Sequence, residues 1–227
     1  MKPYRIYLIR HGLTDANLNG RYIGVTDIDL SEEGVSELLN LRETYTYPNV
    51  GRVYSSPLRR SIETARLLYP EMTPVTVDAL KEYSFGVFEN KTAEELMDNP
   101  AYQDWLDSEK HTLPEGAEEP GAFTQRVIEG LDRIIRDMMK NRISEAAVIT
   151  HAGVITSLLA ACGLPRRPLL EWKVESGKGY TLNINAGLWL NEHFVEVFTP
   201  VPYGVHPEEV MLDYQRDLPD DWTDEEE

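Results

Sequence analysis

The tripeptide Arg10-His11-Gly12 puts a cation and a potential nucleophile at the end of the apolar run from Tyr4 to Ile9. Apolar residues occupy both parities of this run, which predicts a strand that is covered on both faces. In open α/β sheets the carboxyl ends of strands face the ligand crevice, so residues presented there are well placed for chemistry. Arg10 and His11 are therefore candidate site residues, although so short a motif also occurs as an ordinary polar strand end.

Two more predicted strands end in residues of the same kind. The strand from Arg52 to Ser55 runs into Ser56-Pro57, which predicts a helix with Ser56 as N-cap and Arg60 in its first turn. The strand from Ala146 to Thr150 ends at His151, directly before another helical pattern. Helix N-termini bind anions and guanidinium groups match phosphoryl oxygens, so these strand ends together predict a phosphoryl-binding site.

The elements that must position these residues alternate between strand and helix patterns. Helices are predicted from Ser31 onward, from Val127 to Met138 and from Val154 to Cys162, and residues 179–199 predict a terminal hairpin around Asn191-Glu192. The alternation predicts an α/β fold, namely a three-layer α-β-α sandwich with a mainly parallel central sheet. A polar, irregular stretch at about residues 91–121, with two short helical pieces, predicts a small helical cap insertion over the site.

The length of the chain limits the number of domains, and its charge limits the kinds of partner that it can bind. The 227 residues suit one domain, predicted at residues 1–205, followed by an acidic C-terminal tail at residues 206–227. The tail carries −9 of the formal net charge of −17, and this acidity argues against nucleic acid and anionic membranes as partners. No apolar segment is long enough to span a membrane and no signal peptide is recognisable, so a cytoplasmic location is expected. The single cysteine, Cys162, lies in an apolar pattern that predicts a buried thiol.

In order and spacing, the motifs of this chain resemble those of the histidine phosphatase superfamily, whose founding members are the phosphoglycerate mutases. The resemblance covers roughly residues 4–200. The motifs are Leu8 to Thr14 with Asn17, Gly24 with Asp27, Leu30, Ser31 and Gly34, Ser55 to Arg60 with Thr64-Ala65, Glu82 with Phe85-Gly86 and Glu89, Gly116 and Glu118 with Arg126-Val127, and Thr150 to Ile155. Each motif is weak alone, but together they are highly specific.

The resemblance implies a role for each candidate residue. His11 is expected to be the nucleophile that becomes phosphorylated, and Glu82 the acid that donates a proton to the leaving group. The remaining site residues are expected to hold the phosphoryl group, and they are Arg10, Thr14, Asn17, Gly24, Arg60, His151 and Ala152. The expected substrate is a small-molecule phosphomonoester, and no metal ion or other cofactor is implied. The terminal hairpin could form the edge of a homodimer.

Three alternatives for individual residues remain open at this point. Arg59 could replace its neighbour Arg60 as the phosphoryl clamp, although the family register favours Arg60. Glu89 could be the acid instead of Glu82. His11, His151 and Glu82 could also form a two-histidine, one-carboxylate metal site, but two arginines in the same pocket would repel a cation.

The predicted reaction is hydrolysis, and two other functions are kept as alternatives. A phosphoglycerate mutase must seat a second anionic group, whereas the stretch Asn99 to Glu118 offers only Lys110 and His111 as cations among several acids. The sequence after His151 resembles the phosphatase branch, including α-ribazole phosphatase-like enzymes. Phe88, Asn90 and Lys91 depart from the residue types common there, which affects recognition of the leaving group more than the mechanism. A non-catalytic phospho-ligand binder is the remaining alternative, and the presence of both His11 and Glu82 argues against it.

Overall fold

The computed structural model describes residues 4–107, 109–110 and 112–204, which form an α/β fold. The predicted tail at residues 206–227 lies outside the described residues. The described strands and helices, in chain order, are β1 Tyr4–Arg10, α1 Asp15–Leu18, α2 Glu32–Thr44, β2 Arg52–Ser55, α3 Arg59–Leu68, β3 Val75–Thr76, α4 Ala93–Leu96, α5 Pro100–Leu106, α6 Pro120–Asn141, β4 Glu145–Thr150, α7 Ala152–Cys162, β5 Gly163–Leu164, β6 Gly179–Ile184, α8 Ala186–Glu192 and β7 Val195–Val201. Short 3₁₀ turns span Asp78–Leu80, Gly86–Phe88 and Leu169–Glu171.

The seven strands form one sheet in the order β3-β2-β4-β1-β6-β7-β5. Strands β3, β2, β4 and β1 are mutually parallel, and β6 runs antiparallel to both β1 and β7. The predicted mainly parallel sheet is therefore confirmed. Arg10 is in register with Thr150, and Ser55 with Ile149, so the carboxyl ends of β1, β2 and β4 meet at one edge.

Successive residues of β1 point to opposite faces of the sheet, and helices cover both faces. Ile6 and Leu8 pack with the buried faces of α6 and α7. Tyr7 and Ile9 pack with residues of α2 and α3 on the other face. These three layers match the predicted sandwich. Cys162 is buried as predicted, and burial raises the pKa of its thiol to about 11.

The start of α3 differs from the sequence prediction. The helix begins at Arg59, with Leu58 as an N-cap that makes no side-chain capping bond, so Ser56 is not the cap. The Ser56 hydroxyl instead lies 2.8 Å from Nε2 of His151, in another part of the chain. Arg60 still falls in the first turn of α3, as expected.

The predicted terminal hairpin is wrong in its connection. Strands β6 and β7 do pair antiparallel, but helix α8 occupies the position where the turn was expected. Asn185 caps this helix by accepting hydrogen bonds from the N–H groups of Gly187 and Leu188. Trp189 of α8 is fully buried and donates to Asp132, so tertiary packing overrides the strand-like alternation of this stretch.

The predicted cap insertion contains α4 and α5, close to the two short helical pieces expected there. Leu96 and Tyr102 of this insertion form a small buried cluster with Phe88, which precedes it in the chain. None of the helices in the described ranges has the length and apolar character to cross a membrane.

Candidate active site

Three strand ends bring the predicted residues together. His11 follows β1 and is 5 % exposed, Arg60 lies in the first turn of α3 and is 1 % exposed, and His151 is the N-cap of α7 and fully buried. Nε of Arg60 lies 3.3 Å from Nε2 of His11. The rings of His11 and His151 meet edge to face with centroids 5.1 Å apart. The predicted convergence of these residues is thus realised in the fold.

The contacts of His11 define which nitrogen is available for attack. Nδ1 lies 2.6 Å from the carbonyl oxygen of Gly12, which can only accept, so Nδ1 carries the proton and Nε2 keeps its lone pair. Burial lowers the pKa of His11 well below its usual value, and the nearby charges of Arg60 and Arg10 lower it further. The hydrogen bond to Gly12 opposes this effect. His11 is therefore a neutral imidazole whose Nε2 lone pair accepts a hydrogen bond from Nε of Arg60.

Arg60 is held by backbone carbonyls of the loop at residues 24–26. Its two terminal nitrogens donate to the carbonyl oxygens of Thr26 at 2.8 Å and Gly24 at 2.6 Å. The loop is held in turn by the carboxylate of Glu89, which accepts from the backbone N–H groups of Gly24, Val25 and Thr26. Glu89 thus fixes the loop that aims the guanidinium of Arg60 at His11.

Glu82 is 8 % exposed and lies against the N-terminus of α7. Its carboxylate accepts from the backbone N–H groups of Tyr83 and Gly153, each at 2.9 Å. A Cβ at Gly153 would lie only 2.4 Å from Oε1 of Glu82, so any side chain at this position would displace the Glu82 carboxylate from its observed place. Burial raises the pKa of Glu82, against the opposing effects of these hydrogen bonds and of Arg60 and Arg10. A raised pKa suits a carboxylic acid that must donate a proton.

A cavity of about 490 Å³ opens in front of these groups. Among the predicted residues, those that line it are Arg10, His11, Asn17, Glu82 and Ala152. Arg10 is anchored by a hydrogen bond from Nη1 to the carbonyl oxygen of Val174, at 2.8 Å. The cavity lining therefore includes the guanidinium of Arg10, the imidazole of His11 and the carboxyl group of Glu82.

Four of the predicted phosphoryl contacts do not line this cavity, namely Thr14, Gly24, Arg60 and His151, and two of them, Thr14 and Gly24, make hydrogen bonds that hold other site residues. Thr14 is fully buried and caps α1, and its hydroxyl donates to Oδ1 of Asn17 at 2.9 Å. The NH₂ group of Asn17 is consequently the part of that side chain available to a phosphoryl oxygen. The N–H and C=O of Gly24 are engaged by Glu89 and Arg60.

The structure separates Arg60 from Arg59. The guanidinium of Arg59 is about half exposed and pairs with Asp29 at 2.8 Å and Asp27 at 3.4 Å. The first N–H groups of α3 are likewise taken, by the Asp27 carboxylate and the Ile28 carbonyl. This helix N-terminus is therefore not open to an anion, contrary to the expectation from sequence, and Arg60 contributes through its side chain.

The donor set does not resemble a metal centre within the described parts of the chain. No cluster of three or more His, Cys, Asp or Glu side chains has an arrangement suited to a metal ion there. The guanidinium of Arg60 faces Nε2 of His11, which is the nitrogen that a metal would have to bind. The cationic environment fits an anionic ligand.

Sequence reasoning missed Ser56 as a partner of His151 and Glu89 as the anchor of the loop at residues 24–26. It also left Asn90 unexplained, where a glycine is common in the resembling family. Asn90 has a φ of 59°, in the left-handed region that asparagine tolerates better than most residues. The glycine signal in the family pattern could have indicated this conformation.

Comparison with known proteins gives consistent results. The family model of the histidine phosphatase superfamily (branch 1) matches residues 6–196. The chain is 31% identical over 186 residues to the adenosylcobalamin/alpha-ribazole phosphatase of Escherichia coli K12, covering 80% of this chain and 90% of that protein. It is 31% identical over 172 residues to putative phosphoserine phosphatase 2 of Hydrogenobacter thermophilus, covering 70% and 80% of the two chains. The crystal structure of a putative alpha-ribazole-5'-P phosphatase from Escherichia coli K-12 superposes with a TM-score of 0.70 at 27% identity, covering 86% and 94%.

Proposed function

The chain belongs to branch 1 of the histidine phosphatase superfamily and is a phosphatase, and we propose that it hydrolyses small phosphomonoesters through a phosphohistidine on His11. The observation that carries the mechanism is the hydrogen bond from Nδ1 of His11 to Gly12, because it leaves the lone pair of the ring on Nε2, where Arg60 donates to it in the absence of substrate. The reaction needs no metal ion. The names of the similar proteins, which refer to α-ribazole and phosphoserine phosphatases, support small phosphorylated metabolites as substrates.

In the first half-reaction the phosphoryl oxygens contact Arg10, Arg60, His151 and the NH₂ group of Asn17. Nε2 of His11 attacks phosphorus, and the bond between phosphorus and the ester oxygen breaks. Glu82 transfers its proton to the leaving oxygen, so the product leaves as a neutral alcohol. The arginines stabilise the negative charge on the equatorial oxygens, which is the main requirement of phosphoryl transfer.

In the second half-reaction a water molecule attacks the phosphohistidine. The carboxylate of Glu82 accepts a proton from this water, the bond between nitrogen and phosphorus breaks, and inorganic phosphate leaves. Nε2 of His11 recovers its lone pair and Glu82 recovers its proton. One residue therefore acts as acid and then as base, as microscopic reversibility requires.

The charges of the cap support hydrolysis over mutase-type transfer. A mutase substrate carries a second anionic group, which needs a free cation near the leaving group. Arg21 lines the cavity but is paired with Glu95, and Lys110 is paired with Asp104. The location of the protein in the cytoplasm and its assembly as a homodimer remain predictions.

Trapping of the covalent intermediate tests this proposal. A phosphomonoester with a ³²P-labelled phosphoryl group should label the wild-type protein after acid-free quenching, and His11→Ala should remove both the label and turnover, by at least about a thousandfold. Arg60→Ala should also lower kcat/KM strongly, whereas the matched change Arg59→Ala removes only surface ion pairs and should have little effect. Labelling that survives in His11→Ala would overturn the assignment of the nucleophile.

The role of Glu82 is tested by the leaving group and by pH in the same experiment. Glu82→Gln should lower kcat/KM for ethyl phosphate by about 10²-fold or more, and much less for p-nitrophenyl phosphate, whose leaving group needs little protonation.

The pH dependence gives a second test of the same role. In the wild type, activity should be lost at low pH when His11 is protonated, and at high pH when Glu82 loses its proton. Because the pKa of His11 is lowered, the acid limb of the pH profile should lie below the usual pKa of histidine. Because the pKa of Glu82 is raised, the alkaline limb should lie above the usual pKa of glutamate. An alkaline limb that persists in Glu82→Gln would remove Glu82 from this role.

A further inference from the structure

We infer that the part of the cavity beyond Arg10 and His11 binds a neutral, flat, apolar leaving group and disfavours phosphomonoesters that carry a second anionic group. The inference rests on the proposed function, since it names the substrate class of the same site. Its basis is a wall of four aromatic rings, formed by Tyr22, Tyr83, Phe85 and Phe123, which we call the aromatic wall.

The aromatic wall is continuous along one side of the cavity. Successive ring centroids are 5.4 Å apart from Tyr22 to Phe85, 5.2 Å from Phe85 to Tyr83 and 5.5 Å from Tyr83 to Phe123. The rings meet in tilted or edge-to-face geometry, which is favourable for aromatic contacts. Such a surface buries a planar apolar group well and offers little to an anionic one.

Contacts behind the aromatic wall hold it in place before substrate binds. The hydroxyls of Tyr22 and Tyr102 lie 2.8 Å apart, and the Tyr22 ring also packs edge-on against Trp105. The backbone N–H of Phe85 donates to Glu89 at 2.9 Å. A preformed surface loses little conformational entropy on binding, so the contacts contribute to affinity more fully.

The charges around the aromatic wall oppose a second anion. Arg10 and Arg21 are the cations that line the described part of the cavity, and Arg10 stands at the phosphoryl end beside His11. The guanidinium of Arg21 makes two hydrogen bonds to the Glu95 carboxylate, at 3.0 and 3.2 Å, and a third to the carbonyl of Asn90 at 2.6 Å. A carboxylated substrate would have to displace this bidentate pair.

Negative charge also reaches the far end of the aromatic wall. The pKa of Tyr83 is raised by burial and additionally by the carboxylates of Glu118 and Glu119. Neutral hydroxyls of Thr124, Thr156 and Ser157 complete the lining near this end. A leaving group with neutral hydrogen-bonding atoms is therefore compatible with the cavity, whereas a second carboxylate or phosphate meets a cation, Arg21, that is already paired with Glu95.

The test compares esters of unactivated alcohols, so that protonation of the leaving group is required in each. For the wild-type protein, kcat/KM for benzyl phosphate should exceed that for ethyl phosphate by about tenfold or more, because a ring of apolar surface is buried. Values for O-phosphoserine and 3-phosphoglycerate should not exceed the value for ethyl phosphate. Equal values for benzyl and ethyl phosphate, or a preference for the carboxylated esters, would overturn the inference.

Variants locate the preference on the aromatic wall. Phe85→Ala should reduce the ratio of benzyl to ethyl phosphate several-fold, and the control Tyr45→Ala, at a partly exposed aromatic residue at the end of α2, should leave the ratio unchanged. Glu95→Gln frees Arg21 and should raise the ratio of 3-phosphoglycerate to ethyl phosphate several-fold. A benzyl preference that is unchanged in both Phe85→Ala and Tyr22→Ala would overturn the assignment to these rings.

Failure of the inference and failure of the proposed function give different results. If ethyl phosphate is hydrolysed with labelling of His11 but benzyl phosphate shows no advantage, the inference fails and the proposed function stands. If no ester in the panel labels His11, the proposed function fails and the inference fails with it.

Discussion

The two histidines of the site differ in the partners of their ring nitrogens. His11 donates from Nδ1 to Gly12 and accepts at Nε2 from Nε of Arg60, so Nε2 holds the lone pair that the proposed mechanism uses. His151 contacts the hydroxyl of Ser56 through Nε2 at 2.8 Å, while its Nδ1 is buried without a partner among the described residues. The Ser56 hydroxyl also accepts a weak hydrogen bond from the N–H of Leu58, and we expect it to donate its single proton to Nε2 of His151. Burial, the largest effect, and the charges around it lower the pKa of His151, which keeps the ring neutral. A proton donated from Ser56 to Nε2 requires the ring proton on Nδ1.

Removal of the Ser56 hydroxyl should therefore disturb His151 specifically. In Ser56→Ala, Nε2 loses its donor, the population with the proton on Nδ1 falls, and kcat/KM should decrease by a factor of about 3 to 10, the equivalent of one hydrogen bond. Steady-state kinetics measure the loss, and ¹⁵N NMR of labelled histidines measures the tautomer.

The neighbouring serine provides the control for this prediction. Ser55 is equally buried, but its hydroxyl donates to the carbonyl of Ser56 and not to a histidine. Ser55→Ala should therefore leave the tautomer of His151 unchanged. An unaltered tautomer in Ser56→Ala would show that Ser56 does not set the proton position.

At the scale of elements, helix α6 connects the cap to the loop that carries Glu82. The guanidinium of Arg126 makes two hydrogen bonds to the Glu118 carboxylate, at 2.6 and 2.8 Å. It also donates to the carbonyl oxygens of Ala79, Lys81 and Glu82 at 2.7 to 3.0 Å. Arg126 is thus proposed as a positioning residue, since it holds the backbone on both sides of Glu82, the proposed proton donor, without lining the cavity.

Loss of these contacts should affect proton transfer more than phosphoryl binding. We expect Arg126→Met to lower kcat/KM for ethyl phosphate by about tenfold or more and for p-nitrophenyl phosphate much less, because only the first substrate depends on the position of Glu82. Arg126→Lys should restore part of the activity. The comparison requires a protein that remains folded, which thermal unfolding checks.

A second arginine of the same helix is the control for general destabilisation. Arg136 pairs with Asp132 on the exposed side of α6. Arg136→Met should therefore leave kcat/KM for both substrates unchanged and cause only a small loss of stability. Equal losses on both esters in Arg126→Met would mean that Arg126 is purely structural.

At the scale of the whole molecule, the most acidic segment of the chain and the residues of the site lie in different parts of the sequence. The residues that build the site lie between Arg10 and Val174, and the last described contacts of the core involve Tyr203, which packs edge-on against Tyr7. The segment at residues 206–227 carries −9 of the −17 formal charge. The catalytic unit is therefore proposed to end at residue 205, as expected from sequence.

A chain that ends at residue 205 tests this boundary. It should keep the melting temperature, and its kcat/KM for ethyl phosphate should stay within about twofold or rise slightly, because less negative charge repels a dianionic substrate less. Any increase should disappear at high salt. A strong loss of activity would mean that the acidic segment contributes to the site.

The sequence alone determined the three polar strand ends and the layers around them. The strands at Tyr4 to Ile9, Arg52 to Ser55 and Ala146 to Thr150 could be recognised to within one residue of the observed bounds, because apolar patterning is local. Parallel strands then bring their carboxyl ends to one edge of the sheet. The predictions that were wrong are the N-cap at Ser56 and the turn now occupied by α8. In both places a side chain makes a hydrogen bond to a residue far away in the sequence.

Only the tertiary structure decided how the site residues divide their work. Arg60 rather than Arg59 faces His11 because Gly24, 36 positions away, accepts from its guanidinium. Glu89 anchors the same loop across 65 positions, whereas Glu82 is left buried in the cavity with a raised pKa. Hydrogen bonds of this kind join residues with no local relation in sequence. The residue types that can do the chemistry are therefore visible in the sequence, while the proton positions and orientations that select their roles depend on the assembled fold.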